Sequence, residues 1–313
     1  MAPDRSQVTF AIVTYNSARV LPDCLRSLER GCAGVAYEVC VADNDSSDDI
    51  EGVVHAIVPG ARVVGLGANR GYAAGVNAAI AHAAPGSAIY VLNPDARLAP
   101  DSVRPLLAAL DDPRTGIAVP RIRDEHGALF HSLRREPTVA RAFGEAVLGG
   151  KRASAYPRLG EVVRTPAVYE QPTTCDWASG AAMLIARRCV DAVGLWDESF
   201  FLYSEETDFA LRTRDAGFVV RYVPDSLVTH IGGEQATDPR LWTIATLNRV
   251  RLFRRRHGRV QSGLFTAAVT LNELVRAAAG SPTHRAALRA LVQPSARPAE
   301  VTSRPGPAPA AAR

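Results

Sequence analysis

Apolar and polar positions alternate along the first third of the chain in a repeating rhythm. Val8 to Val13 is a short apolar run that reads as a strand, and after it Val20, Leu21, Cys24, Leu25 and Leu28 recur at the spacing of one helix face. Tyr37 to Ala42, Arg62 to Leu66 and Ala88 to Leu92 read as further strands, with helices expected over Ala73 to Ala84 and Asp101 to Leu110. Strands separated by helices of this length form βαβ units, so the pattern predicts an α/β fold with a mainly parallel sheet covered on both faces.

Beyond Gly116 the rhythm weakens, and residues 121–176, with scattered Pro, Gly and Arg, read as a loop-rich insertion over the sheet. Order returns with a strand over Ala181 to Ala186, a helix from Glu205 to Ala216 closed by Gly217, and one or two strands within 218–229. Helical patterns cover Asp238 to His257 and Leu264 to Ala279. The last twenty residues, rich in Pro, Ala and Arg, have no apolar period and are expected to be disordered. The expected organisation is a main unit over 1–237, divided near residue 120, a helical basic extension over 238–292 and a tail over 293–313.

Composition narrows the class. Of 313 residues, 47% are hydrophobic and 22% charged, which suits a folded enzyme rather than a disordered chain. Five cysteines without a C-x-x-C pair argue against a disulfide framework or a cysteine zinc site. The start of the chain has no signal-peptide pattern and no apolar run approaches the ~20 residues that span a bilayer, so a cytoplasmic protein is expected.

The net charge of +4 hides a division. Residues 240–313 hold 13 Arg against two acids, Glu273 and Glu300, while the remainder holds 23 basic against 30 acidic residues. An acidic body with a basic tail predicts an anionic partner. No zinc pattern or aromatic-interleaved motif accompanies the arginines, so nucleic acid is not expected. Arg249, Arg251, Arg254, Arg255, Arg256 and Arg259 flank Leu252 and Phe253 and are candidates for peripheral contact with the inner face of the plasma membrane; a solvated helix face is the alternative.

Ligands of open α/β sheets bind outside the carboxyl ends of the strands, and four polar clusters follow predicted strands here. They are Thr14-Tyr15-Asn16, Asp43 to Asp48, Asn69 to Asn77, and Asn93-Pro94-Asp95. Any one of them can be a turn or cap, because Asn, Asp, Ser and Gly favour such places for local reasons. All four together would converge on one sheet edge. There Asp43 can accept from the imide N–H of uracil or thymine, Tyr15 can stack on a base, and Asp95 can face a hard cation bridging diphosphate oxygens. Gly65 to Gly71 misses the dinucleotide fingerprint by one residue and follows the third strand, which disfavours a dehydrogenase. Further on, an aromatic loop from Gly194 to Tyr203 leads into Glu205, Glu206 and Asp208 at a helix start, where the helix dipole favours negative charge.

The ordered set V-T-Y-N, A-D-N-D-S-S-D, N-R-G-Y-A-A-G-V-N, L-N-P-D, W-A-S-G-A-A-M-L-I and F-F-L-Y-S-E-E-T-D resembles glycosyltransferase family 2 over about residues 7–235. The resemblance implies a GT-A fold with a central mainly parallel mixed sheet flanked by helices, here with a helical C-terminal extension. It implies that Asp43 contacts the base, with Thr14, Tyr15 and Asn16 beside it, and that Asn69 and Arg70 line the nucleotide pocket. Asp95 stands at the last position of the family's D-x-D metal motif, whose first acid is replaced by Asn93, and His230 matches a histidine that completes the metal site; the implied cofactor is Mg²⁺ or Mn²⁺. Glu206 falls on the catalytic base, Glu205 precedes it, and Asp208 holds the helix end or orients an arginine. Ser179 and Gly180 match the segment facing donor sugar and acceptor.

Ile122 to Gly127 and Val147 to Gly150 are similar to rhamnosyltransferases acting on polyprenyl-diphosphate-linked sugars. That likeness implies dTDP-rhamnose first, and another dTDP- or UDP-hexose second, as donor to a glycan or lipid-linked acceptor in cell-wall or surface-polysaccharide synthesis. A sugar nucleotidyltransferase would carry a Gly-rich loop with Arg and Lys after the first strand, which is absent. A non-catalytic nucleotide-sugar binder fits poorly with the acids present at Asp43, Asp95, Glu205, Glu206 and Asp208.

Overall fold

The computed structural model describes residues 7–232 and 237–302. Strand β1 (Val8–Thr14) is buried along its whole length, as expected of a central strand whose two faces are both covered. It pairs in parallel with β2 (Tyr37–Asp43) on one side and β4 (Ala88–Leu92) on the other, and β3 (Arg62–Gly65) adds beyond β2. The register sets Thr14 beside Asp43 and Asp43 beside Gly65, so these strands end together on one edge. Helices α1 (Leu21–Cys32), α2 (Ile50–Ile57) and α3 (Tyr72–Ala81) make the crossovers. Leu21, Cys24, Leu25, Leu28 and Cys32 form the buried stripe of α1 at the spacing a single packed face requires.

Past β4 the sheet becomes mixed. β10 (Ala182–Ile185) runs antiparallel between β4 and β6 (Thr115–Arg123), and β11 (Val219–His230) pairs in parallel with β6 and antiparallel with β5 (Ala96–Leu98) and β8 (Thr173–Cys175). β11 is one strand, with a register shift between Val223 and Leu227. Its antiparallel pairing with β5 sets His230 opposite Ala96, next to Asp95. Between β6 and β10, α4 (Val103–Leu110) having already returned the chain to the sheet, lie β7 (Leu133–Arg134), α5 (Val139–Leu148), α6 (Gly150–Ala153) and β9 (Trp177–Ala178), with β7 and β9 paired as a small second sheet.

The insertion is therefore more ordered than its weak periodicity indicates. Helix α5 packs not on the sheet but on the C-terminal extension, where Ala142 joins Phe253, Phe265, Ala268 and Val269 in a second small core. A helix whose buried face is completed by a segment over a hundred residues away leaves little local signal. After α7 (Arg187–Val193) and α8 (Glu205–Asp215), the extension consists of α9 (Pro239–Arg256), α10 (Arg259–Ala278) and α11 (Pro282–Val292). Helix α10 starts five residues earlier than expected, and α11, with Pro282 in its first turn, falls within the extension expected to be helical. Within the tail, Pro294–Ala296 and Ala299–Thr302 are short helical turns, a departure from the expected disorder; residues 303–313 lie outside the described residues.

Arg249, Arg251 and Arg256 of α9 are partly buried against the rest of the fold, whereas Arg240, Arg254 and Arg255 are exposed. One Arg249 nitrogen lies 2.9 Å from Glu145 and 2.6 Å from Glu161, joining the extension to α5. Burial pushes the Glu161 carboxyl above its ordinary value despite that guanidinium. Replacing Arg249 with leucine leaves two close carboxylates without a counter-charge, and the expected loss is about 3 kcal/mol, read as a lower midpoint in urea unfolding. Arg256 pairs with Asp215 at 2.7 Å, and Arg254 donates to the Thr266 hydroxyl at 3.2 Å.

Candidate active site

The carboxyl edge of the sheet is where the predicted residues assemble. Asp43, at the end of β2, accepts from the Thr14 hydroxyl at 2.8 Å, the Ser46 hydroxyl at 2.5 Å and the Ser46 N–H at 3.0 Å. Three donors hold the carboxylate in one orientation and leave capacity for one more. Asn16, with φ +53°, accepts from Ser47 through its side chain and donates its own N–H to Ser46, so the first two clusters are one structure. Tyr15 stands 53% exposed above them, its ring available to a planar ligand.

Buried Asn44 links this pair to the third cluster, accepting from the Arg70 N–H at 3.0 Å and donating to the Gly71 carbonyl at 3.3 Å. Asn69 accepts from the Gly71 N–H, which shapes the turn. Gly71 has φ +90°, and a Cβ there would lie 2.2 Å from the Phe201 carbonyl oxygen, so no other residue fits. The Arg70 guanidinium is engaged by Glu198 at 3.0 Å, and Glu198 also accepts from Asn77 at 3.0 Å. These contacts fasten the 69–77 segment to the aromatic loop that precedes α8.

The fourth cluster faces β11. Asp95 lies 3.2 Å from His230 Nε2 and accepts the Gly232 N–H at 2.9 Å. Burial raises the Asp95 carboxyl, but the hydrogen bond and charge of His230 and the Gly232 N–H outweigh it and hold the group below its ordinary value. The Asn93 side-chain nitrogen lies 3.3 Å from the same His230 nitrogen, and its oxygen accepts from the Tyr72 hydroxyl at 2.8 Å. Asn93 thus supports the other members by hydrogen bonds where an acid would have added charge.

Glu205 and Glu206 open α8 directly after Tyr203 and Ser204, two non-glycine residues with φ +66° and +76°. Left-handed backbone at two such residues is strained and persists only where surroundings over-determine it. Helix α9 supplies those surroundings. Asn248 donates to the Leu202 carbonyl at 2.9 Å and the Tyr203 carbonyl at 3.3 Å, and Arg251 donates to the Ser199 carbonyl at 2.6 Å. Arg255 reaches Asp197 and the Ser199 hydroxyl, and both guanidinia lie over the Phe200 ring, at 5.5 and 4.8 Å. The basic extension is thus a clamp on the loop that carries the acids.

Burial pushes both carboxyls up. Glu205 rises furthest, because the neighbouring Glu206 charge adds to desolvation; for Glu206, backbone N–H groups and the Arg134 guanidinium offset part of the burial effect. Oε2 of each is buried without a hydrogen-bond partner among the described residues. A carboxyl whose folded value is raised contributes stability that is full at low pH and lost as pH rises through that value. Glu205→Gln is therefore expected to raise Tm increasingly from acid to neutral pH, by about 2–4 °C per kcal/mol recovered, in thermal melts across pH.

Gly180 lies against Glu206: a Cβ at Gly180 would sit 3.3 Å from the Glu206 Cβ. Ser179, beside it, is anchored by its N–H to the Ser132 carbonyl. Asp208 faces away from this group, accepting from Arg212 at 2.7 Å, and Arg212 in turn binds the carbonyls of Val193 and Leu195. Its contacts are those of a helix-end brace.

Two members were not singled out from the sequence. Tyr72, half-buried, feels the charges of Glu205, Glu206 and Asp95, and burial together with those charges pushes its phenol well above the ordinary value. Its hydroxyl donates to Asn93, two residues before Asp95, and its N–H donates to the Phe201 carbonyl in the loop before α8. Its place within N-R-G-Y was the available signal. Arg134, paired through β7 with Trp177 and lying 5.7 Å from that ring, brings positive charge toward Glu206. It sits in the insertion whose pattern carries no signal.

A divalent cation fits the Asp95–His230 pair in one respect. Among the described residues no three His, Cys, Asp or Glu side chains gather as a complete ligand set. A hard cation that shares its shell with substrate phosphates needs only one or two protein ligands, which this pair provides.

Comparison with known proteins agrees with this architecture. The model of glycosyl transferase family 2 matches residues 9–161, and that of glycosyl transferase family group 2 matches residues 88–257. The chain is 33% identical over 231 residues to an N-acetylglucosaminyl-diphospho-decaprenol L-rhamnosyltransferase of Mycobacterium tuberculosis, covering 70% of this chain and 74% of that protein. It is 28% identical to a low-salt glycan biosynthesis hexosyltransferase of Haloferax volcanii over 66% of this chain and 61% of that one. In fold it is similar to a mannosyltransferase of Pyrobaculum calidifontis solved with GDP-Man and Mn²⁺, with TM-score 0.57 and 17% identity over 95% of this chain and 83% of that one. With the mixed sheet, the assembled edge and these matches together, the chain belongs to glycosyltransferase family 2 and is a glycosyltransferase of GT-A fold.

Proposed function

We propose that the protein transfers L-rhamnose, with inversion, from dTDP-rhamnose to an N-acetylglucosaminyl-diphospho-polyprenol in cell-wall polysaccharide synthesis. The observation that carries the reading is the meeting of two differently tuned acidic groups around Tyr72: Asp95, held ionised, and Glu206, raised by burial. Groups pushed in opposite directions at one site suit division into a charge-holding and a proton-moving role. The similarity to the mycobacterial rhamnosyltransferase supports the donor and acceptor.

In this reading Glu206 accepts the proton of the acceptor hydroxyl as oxygen bonds to the anomeric carbon and the bond to the diphosphate oxygen breaks. Gly180 leaves room beside that carboxylate, and Arg134 favours its ionised form. Asp43, Thr14, Tyr15, Asn16, Asn69 and Arg70 form the nucleotide end, Ser179 the sugar end. Asp95 and His230 would hold Mg²⁺ or Mn²⁺, which neutralises charge on the departing diphosphate. A lipid-linked acceptor would bring the protein to the inner face of the plasma membrane.

The Haloferax hexosyltransferase likeness supports the alternative of another dTDP- or UDP-hexose donor. Incubation of the protein with dTDP-rhamnose, UDP-glucose and UDP-galactose, a short-chain lipid-diphosphate N-acetylglucosamine and Mg²⁺, read by mass spectrometry, separates the two. A deoxyhexose increment supports the proposal, and a hexose increment alone replaces it with the alternative.

A further inference from the structure

Helix α10 is apolar on both of its sides. Its inner face, with Phe265, Ala268 and Val269, fills the second core. The opposite face carries Val260, Leu264, Leu274 and Val275, exposed by 77, 48, 51 and 49%. Ala267, Leu271 and Ala278 fill the same stripe by helical spacing, and no charged residue interrupts it. Val147 and Leu148 at the end of α5 are exposed as well, and the Arg276 guanidinium, donating to the Glu145 carbonyl, joins that end of α5 to the end of α10. A surface helix normally turns its polar face outward, so a stripe of this length implies an apolar occupant.

Charge selects the occupant. Between Pro239 and Thr302 the only acids are Glu273, which is buried, and Glu300, which pairs with Arg240. Exposed Arg259 opens α10, Lys151 and Arg152 follow α5, and exposed Arg285 and Arg289 lie on the next helix, α11. Two copies meeting on this face would oppose like charges, whereas an anionic leaflet is complementary to both the apolar stripe and its basic surround. No described helix is long and apolar enough to cross a membrane, so the contact lies in the plane of the surface. We propose that the outward stripe of α10, with the end of α5, is the face by which this protein lies on an anionic lipid bilayer.

The proposal rests on the lipid-linked acceptor reading but moves the contact away from the arginines of α9, which hold the loop before α8. Flotation of the full chain is expected with vesicles of equal phosphatidylglycerol and phosphatidylcholine, and much less with phosphatidylcholine alone. Leu264→Glu with Leu274→Glu should lower the bound fraction at least about tenfold, since each exposed leucine loses its burial in the leaflet. Circular dichroism reports that the double variant folds. Transfer to a water-soluble short-chain acceptor should be unchanged in it; wild-type protein that floats but transfers to no acceptor would count against the function and not this surface. Wild-type protein that stays at the bottom of the gradient, a double variant that floats equally well, or a wild-type dimer that the same changes dissociate would each overturn the proposal.

Discussion

Glu206→Gln is expected to lower kcat by about 10²–10⁴-fold while leaving the dissociation constant for the donor nucleotide within about twofold of wild type. The amide keeps the size and the contact with Gly180 but cannot accept a proton, so the loss falls on the chemical step. Steady-state kinetics and calorimetric titration with donor nucleotide separate the two effects. A comparable loss in nucleotide affinity would assign Glu206 to donor binding. Wild-type turnover should also fall on the acid side at a higher pH than an ordinary glutamate would dictate, because burial raises this carboxyl and only its ionised form can take the proton. Glu205→Gln should leave that limb nearly in place, since Glu205, raised furthest by burial and by the Glu206 charge, is still protonated when Glu206 ionises.

Asp95→Asn is expected to act at the other end of the reaction. It keeps an acceptor for the Gly232 N–H but removes the negative charge that His230 faces. Loss of charge stabilisation on the departing diphosphate should cost several kcal/mol, about 10³-fold in kcat/KM, with weakened nucleotide binding as part of it. Chelation with EDTA should lower wild-type activity to a similar level, and Mg²⁺ or Mn²⁺ should restore it. In the Asn variant the metal concentration for half-maximal rate should rise. Full activity after chelation would remove the cation from the mechanism and leave Asp95 and His230 as a hydrogen-bonded support for Asn93.

The strands and helices of the first 120 residues were legible because both faces of their sheet are covered by adjacent segments of chain, which makes local hydrophobic period a faithful record of burial. Hence the sequence pattern alone places Thr14, Asp43 and Asp95 on one edge. The three carboxylates at the start of α8 were visible too, but not their separate surroundings. Nothing in E-E-T-D tells that Asp208 turns to Arg212 while one oxygen of each of Glu205 and Glu206 is buried without a hydrogen-bond partner among the described residues. Which neighbours a carboxylate meets depends on segments distant in the chain, and charge energetics follow those neighbours rather than residue type.

The arginine-rich helix makes the same distinction more sharply. From sequence, its charge and its membrane-like composition could be read, and the expectation of an anionic partner was reasonable. In three dimensions Arg249, Arg251, Arg255 and Arg256 are taken by Glu145, Glu161, Ser199, Asp197 and Asp215. The feature left uncovered is an apolar stripe one helix later. A one-dimensional pattern records that α10 has two apolar faces but not which of them the fold uses. Order along the chain determined the family, the polar edge of the sheet and the candidate acids; long-range packing alone decided which charges were neutralised inside, which acid stood next to Gly180, and which hydrophobic face remained in water.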